Sequence, residues 1–238
     1  MSSILRPLRL AVFLLLLLPV VRPALAGEHY VTTATVDLAP LLAPPPAAGS
    51  AEERAELDIV LATSRGRSPA EAAAAQADSA TTVFRFSDVL GPGFTEENLP
   101  FATGFFAEIA GDTHAIVAAA KISFDRYRPY AVDGRIPALT KDEDTHKRSG
   151  SYPSGHSSFA YATAVVLAAM LPEKAPEIFA RAADFAHNRL VAGVHYPTDI
   201  EAGRISGTVI ANALLHDPRF QKDFAKARAE VRRAAGVS

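Results

Sequence analysis

The residues able to do chemistry gather in one stretch, Ser149 to Asp199. It opens with Tyr152-Pro153-Ser154-Gly155-His156 and closes with Arg189, His195 and Asp199, while Lys121 and Arg128-Pro129 lie upstream. Phosphoryl transfer needs this inventory. Its transition state spreads charge over three equatorial oxygens, so a protein must supply fixed donors, an in-line nucleophile and an acid on the opposite side. Lys121 and Arg128 are seven residues apart in a helical stretch, which predicts that they share one face. Arg189 comes from near the C-terminus of a second helix. Arginine offers a planar fork to two oxygens, and lysine a mobile point charge.

Pro153-Ser154-Gly155-His156 lies where a loop meets a helix. Ser154 is a natural N-cap, whose hydroxyl and following N–H groups can face an anion. Gly155 lets a ligand approach the main chain, and His156 stands in the first turn beside it. His195 falls in a short connection, with Asp199 four residues later in the next helix's first turn. That carboxylate can accept from one imidazole nitrogen and free the other to attack. These types assign His195 as the nucleophile forming a phosphohistidine and Asp199 as its orienter. His156 is the acid that protonates the leaving alcohol and then the base for water. With three cations on the phosphate, no metal or other cofactor is required.

The elements that must position these residues read as helices. Residues 27–49 look extended, because Pro40 and Pro44-Pro45-Pro46 forbid a helix, and should wrap the domain surface. Ser50-Ala-Glu-Glu53 and Ser68-Pro69-Ala70-Glu71 are capping boxes opening helices near 51–65 and 69–79. Thr81 to Phe86 is too short to carry a sheet. Helices are expected over 96–110 and 113–127, with Gly111-Asp112 breaking and capping between them. Residues 129–153 form a long polar loop containing the mixed-charge run Lys141 to Arg148. His156 to Leu171 is apolar all round, the mark of a buried central helix. Ala175 to Ala192 ends at Gly193, Thr198-Asp-Ile-Glu201 caps a helix to about Leu215, and Asp217-Pro218 opens the last. The expectation is an all-α, single-domain bundle of seven or eight helices around a central helix at about 155–171.

Composition sets the compartment. Among 238 residues there is no cysteine, which removes disulfides, thiol nucleophiles and thiolate metal sites. Arg6, Arg9, the apolar run Leu10 to Val21 and Ala24-Leu25-Ala26 form a secretory signal pattern over 1–26. That run is shorter than the ~20 residues a membrane span needs. The leader holds three of the 24 basic residues and none of the 26 acidic ones, so the mature chain carries −5. No polyanionic partner follows, and nucleic-acid polymers are disfavoured. The division expected is a 1–26 signal peptide, a 27–49 lead-in and a 50–238 helical domain.

Lys121-x6-Arg128-Pro129, Pro153-Ser-Gly-His156 and Arg189-x5-His195-x3-Asp199 resemble the three-part signature of the type 2 phosphatidic acid phosphatase superfamily. The Gly-Ser-Tyr-Pro-Ser-Gly-His context and the length most resemble bacterial class A non-specific acid phosphatases. That resemblance implies an all-α fold and metal-independent hydrolysis of small phosphate monoesters at acid pH. It also implies broad specificity, a periplasmic location without membrane insertion, and oligomers, often dimers. Asn188 departs from the serine usual before the arginine and is expected to tune activity, since it can still donate. Glu108 to Asp112 resembles a family stretch near the site, but its spacing to Lys121 is shifted and no role is carried over.

Each piece alone is common, and the joint spacing in order gives the reading its force. Two further functions share the cradle: a vanadium-dependent haloperoxidase, opposed by the compact length, and a periplasmic phosphate- or vanadate-binding module, which would not need His156, His195 and Asp199 together. A membrane lipid phosphatase is opposed by the lack of apolar runs after residue 26. His29, His114, His146, His187 and His216 read as surface or capping residues. A zinc site from His187, His195 and Asp199 is disfavoured by the break at Gly193, and Asp142, Glu143 and Asp144 are consecutive, unlike a calcium loop.

Overall fold

Residues 29–140 and 150–237 are described by a computed structural model, and no β-strand occurs among them. The proposed leader and the Lys141–Arg148 run, with His146, lie outside the described residues. The elements are α1 (Ala51–Gly66), α2 (Pro69–Ala77), α3 (Ser87–Leu90), α4 (Pro100–Phe124), α5 (Pro129–Val132), α6 (Gly155–Met170), α7 (Ala175–Val191), α8 (Pro197–His216) and α9 (Pro218–Ala234). Two 3₁₀ turns, Val83–Phe86 and Pro172–Lys174, precede α3 and α7. The all-α expectation holds, with α3 and α5 short additions to the long helices.

Capping chemistry sets several starts. Ser50 Oγ accepts from Glu53 N at 3.1 Å, and Ser68 and Glu71 form a reciprocal box with Pro69 in the first turn. Asp217 accepts from Phe220 N at 2.8 Å to open α9. The start of α8 differs from expectation. It begins at Pro197, and Asp199 rather than Glu201 reaches back, accepting from Tyr196 N at 2.9 Å. Thr198 is turned instead toward Glu56 of α1, and Glu201 pairs with Arg204.

The expected break at Gly111-Asp112 does not occur, and a single 25-residue helix replaces the two predicted. Pro100 stands at its first position rather than inside it. Asp112 is fully buried and caps nothing in α4. Its Oδ2 accepts from the N–H groups of Tyr30 at 2.9 Å and Val31 at 3.0 Å, and Oδ1 meets His29 Nδ1 at 2.5 Å. The lead-in is thereby pinned to α4, and its Tyr30, Val31, Val36, Leu38 and Leu42 enter the main core. Burial of such side chains contributes roughly 1.5–3 kcal/mol each, enough to hold a segment with no regular structure of its own.

Helix α6 is the central element, packed by α4, α7, α8 and α9. Its contact with α8 is the closest in character, because Gly203 and Gly207 present bare backbone to it. A Cβ at Gly207 would lie 2.4 Å from Ser158 O and 2.8 Å from Ala162 N. This approach fixes the start of α6, with His156, against the start of α8, with Asp199. A main-chain bond from Ser154 N to Asp199 O at 2.9 Å ties the two starts together.

Two helical glycines therefore respond oppositely to alanine. Gly111→Ala meets nothing within 4 Å and gains about 1 kcal/mol of helix propensity, so thermal denaturation should show a raised Tm. Gly207→Ala gains the same propensity but forces backbone apart. Overpacking of about 1–3 kcal/mol outweighs it and lowers Tm by a few degrees.

Candidate active site

Side chains expected at the site converge from four regions of the chain. Lys121, Arg128, Gly155, His156 and His195 line one cavity of about 310 Å³, with Ser79, Thr113, His114 and Phe159 among its other walls. A recess of about 230 Å³ adjoins it, sharing Ser79, Arg128, His156 and His195, and is closed by Tyr130, Thr140, Arg189 and Val194. No aspartate or glutamate lines either space among the described residues.

Lys121 and Arg128 meet here by a route other than the expected shared helix face. Asp125 adopts a left-handed conformation (φ 43°) and ends α4 at Phe124, so Arg128 lies beyond the helix as the cap of α5. The chain reversal, not helical periodicity, brings its guanidinium back toward Lys121. Arg128 Nη1 donates to Val194 O at 2.9 Å and stands 3.2 Å from His195 Nε2. Lys121 Nζ donates to the Gly150 carbonyl. Gly193, with φ +74°, lets the chain turn from α7 toward His195, and a Cβ there would meet Ile136 Cγ2 at 2.9 Å.

The tautomer of His195 follows from its neighbours. Nδ1 lies 3.2 Å from Asp199 Oδ2, and a carboxylate can only accept, so Nδ1 carries the proton. Arg128 can only donate, so Nε2 presents its lone pair. Asp199 is held on both oxygens. Oδ1 accepts from Arg126 Nη1 at 2.7 Å; Oδ2 also accepts from Ser151 Oγ at 2.5 Å and Tyr196 N at 2.9 Å. Burial pushes this carboxyl up, but the His195, Arg126 and Ser151 contacts outweigh it and hold it at about 2. His195, 1% exposed, is held well below the ordinary imidazole range by burial and the Arg128 charge, against the pull of Asp199.

His156 is fixed similarly. Nε2 lies 3.0 Å from Ser79 O, which only accepts, leaving Nδ1 as the nitrogen that gains and loses a proton. Burial, then Arg189, Arg128 and Lys121, bring it down to about 4, against the Ser79 bond. Burial and Arg128 lower Lys121 to about 7, with Asp199 opposing. Arg189 Nη2 donates to Ala75 O at 2.5 Å; burial brings this guanidinium to about 10, Asp78 pulling the other way and Arg128 adding repulsion. The cavity is thus a set of cations that repel one another.

Ser154 does not line either space. Its hydroxyl oxygen accepts from Ser157 N at 3.3 Å and caps α6. Asn188 also points elsewhere, donating to Asp78 Oδ2 at 2.7 Å beside Arg181 and Arg85. Residue types alone did not reveal Arg126, Ser151 or Glu56, nor the carbonyls of Ala75 and Ser79. His114, read as a surface residue, is exposed but also forms the cavity wall; its place two turns before Lys121 on α4 was the available signal. Among the described residues no cluster of metal-ligating side chains occurs, including at His187, His195 and Asp199.

Known proteins resemble this chain in sequence. The PAP2 superfamily matches residues 102–223, which hold Lys121, Arg128, His156, Arg189, His195 and Asp199. The chain is 32% identical over 204 residues to the non-specific acid phosphatase of Providencia stuartii, covering 82% of this chain and 81% of that protein. It is 34% identical over 148 residues to the non-specific acid phosphatase of Salmonella typhimurium, covering 61% and 59%. To the acid phosphatase of Zymomonas mobilis it is 29% identical over 198 residues, covering 81% and 75%. The chain therefore belongs to the PAP2 superfamily, within its acid phosphatase family.

Proposed function

We propose that this protein hydrolyses small phosphate monoesters without a metal, through a phosphohistidine on His195. The observation that carries the reading is the cavity wall: Lys121, Arg128 and Arg189 around two imidazoles, with no lining carboxylate among the described residues. Nε of both Arg128 and Arg189 is a buried donor without a partner among the described residues, and a tetrahedral anion offers one. Gly155 lines the cavity and exposes main chain to the ligand.

In the first step Arg128 transfers its hydrogen bond from Nε2 to a phosphate oxygen. His195 Nε2 attacks phosphorus, the ester P–O bond breaks, and the alcohol leaves with the proton from His156 Nδ1. Asp199 stays ionised and holds the positive imidazole. In the second step water attacks phosphorus, His156 takes its proton, and the P–N bond breaks. The anion that binds relieves the repulsion among the cations and raises the proton affinity of His156. A monoanionic ester can also carry in the needed proton itself. Broad specificity follows from a site whose charged contacts all address the phosphoryl group.

Export belongs to the same proposal, on the leader pattern of residues 1–26, with 27–49 as lead-in and 50–238 as the catalytic domain. Among the described residues no helix is long and apolar enough to cross a membrane.

Hydrolysis of p-nitrophenyl phosphate in the presence of EDTA tests the activity. Persistent turnover is expected; bromide oxidation only after vanadate addition, or binding without turnover, would replace the reading. His195→Ala should abolish turnover and the phosphorylated species trapped by rapid quenching into alkali, where phosphohistidine survives. His156→Ala should slow alkyl phosphates about 10²–10⁴-fold and p-nitrophenyl phosphate far less, because a good leaving group needs little protonation. An equal loss on both would remove His156 as the acid.

The pH dependence has a definite sign. Falling pH protonates His195 Nε2, lowered well below 6.5, and removes the nucleophile. Rising pH discharges Lys121 through about 7 and weakens the hold on the anion. The profile of kcat/KM should therefore be a bell with its maximum on the acid side of neutrality. A rate flat from acid to alkali would contradict both assignments.

A further inference from the structure

Arg126 lies inside the spacing between Lys121 and Arg128 that the motif leaves unspecified, and it is 6% exposed. It lines neither part of the catalytic cavity, so it is not a substrate contact. Its guanidinium is held from several directions. Nη1 donates to Asp199 Oδ1 at 2.7 Å and Thr198 Oγ1 at 2.8 Å, and Nη2 donates to Glu56 Oε2 at 2.7 Å. It lies 3.7 Å over the Tyr196 ring. Glu56 in turn accepts from Thr198 N at 2.7 Å. An ionic chain, Glu56–Arg126–Asp199–His195, thus runs from α1 to the reacting nitrogen.

We propose that Arg126 is a positioning residue for hydrolysis. By occupying Asp199 Oδ1 it aims Oδ2 at His195 Nδ1, and by offsetting carboxylate charge it keeps Nε2 of His195 unprotonated in acid. The inference rests on the reading of His195 as nucleophile. The groups facing the His195–Asp199 pair are Lys121, Arg128, His156 and Arg189 on the cavity side. Glu56, Arg126, Tyr152 and Tyr196 face it on the other. The cavity cations also oppose protonation of His195, but a bound phosphate neutralises them. Arg126 is outside the cavity, so its contribution persists once substrate is bound. Without it, the Glu56 and Asp199 carboxylates would stand together with no cation between them. As pH falls, either Asp199 takes a proton and releases Nδ1–H, or His195 takes one at Nε2. Both remove the active form.

The test is the pH profile of kcat/KM on p-nitrophenyl phosphate for Arg126→Met, Arg126→Gln and Arg126→Lys, with inhibition by inorganic phosphate as a binding readout. Met and Gln should lower kcat about 10- to 100-fold and move the acid limb up by about one pH unit. Inhibition by phosphate at pH 6 should change by less than about threefold, since no cavity contact is lost. Lys, which keeps the charge, should return the acid limb close to its original position. Gln keeps hydrogen bonding to both carboxylates and carries the test if Met does not fold, as judged by circular dichroism. A folded Met or Gln variant with an unmoved acid limb overturns the proposal, as does a Lys variant shifted as far as the neutral ones. His195→Ala in parallel separates the two readings. If it stays active, the nucleophile assignment falls and this inference with it; if it is dead while the neutral variants keep the limb, only this inference fails.

Discussion

Asp199 is fully buried and yet ionised, and much of the site depends on that being affordable. A carboxylate without exposure must satisfy both oxygens, and here four donors do so: Arg126, Ser151, the Tyr196 N–H and His195. These come from the α4–α5 connection, the segment before α6, and the residues that lead into α8. Holding one charge therefore holds three pieces of chain in register. The same contacts set the His195 tautomer, so the electrostatic solution and the orientation of the imidazole are one arrangement.

Packing supplies what the ionic contacts cannot. The four donors can converge only if α6 and α8 begin at the same level, and the bare backbone of Gly203 and Gly207 permits that approach. A looser crossing would lengthen the Ser154–Asp199 main-chain bond and draw His156 away from His195. The cations work against this order. Lys121 at about 7 and His156 at about 4 record how strongly they are disfavoured when crowded in a buried space. Such a site is complementary to negative charge before any ligand arrives, and spends its strain only when an anion enters.

Local features of the site were legible in the residue order, and distant ones were not. His195 and Asp199 are four apart, and Ser154 caps the helix it opens, so residue types alone could place them. The lack of any polar face also exposed α6 as the buried centre. Arg126 could not be found this way, because its partners are 70 residues away at Glu56 and 73 at Asp199. Ala75 and Ser79 act through carbonyl oxygens, which every residue possesses. At Gly111-Asp112 the pattern had two solutions, a cap or a helix interior. The lead-in decided between them by taking the Asp112 carboxylate for its own N–H groups. Lys121 and Arg128 reached the same cavity despite the wrong reason given by periodicity, because the turn at Asp125 substitutes for a shared face.

The end of α2 shows why the region matching the superfamily is not the whole site. Residues 102–223 exclude it, yet the Ala75 carbonyl holds Arg189 and the Ser79 carbonyl holds His156. Unpaired carbonyls at a helix C-terminus carry partial negative charge, which suits cations there. Asp78, between them, fastens this end to α7 through Arg181 and Asn188, with Arg85 completing its shell. Asn188 and Arg189 thus grip the same helix end, Asn188 through Asp78 and Arg189 through the Ala75 carbonyl. The Asn188 amide serves the support of the cavity rather than its lining, so a change of side chain there leaves the charges that line the cavity unaltered.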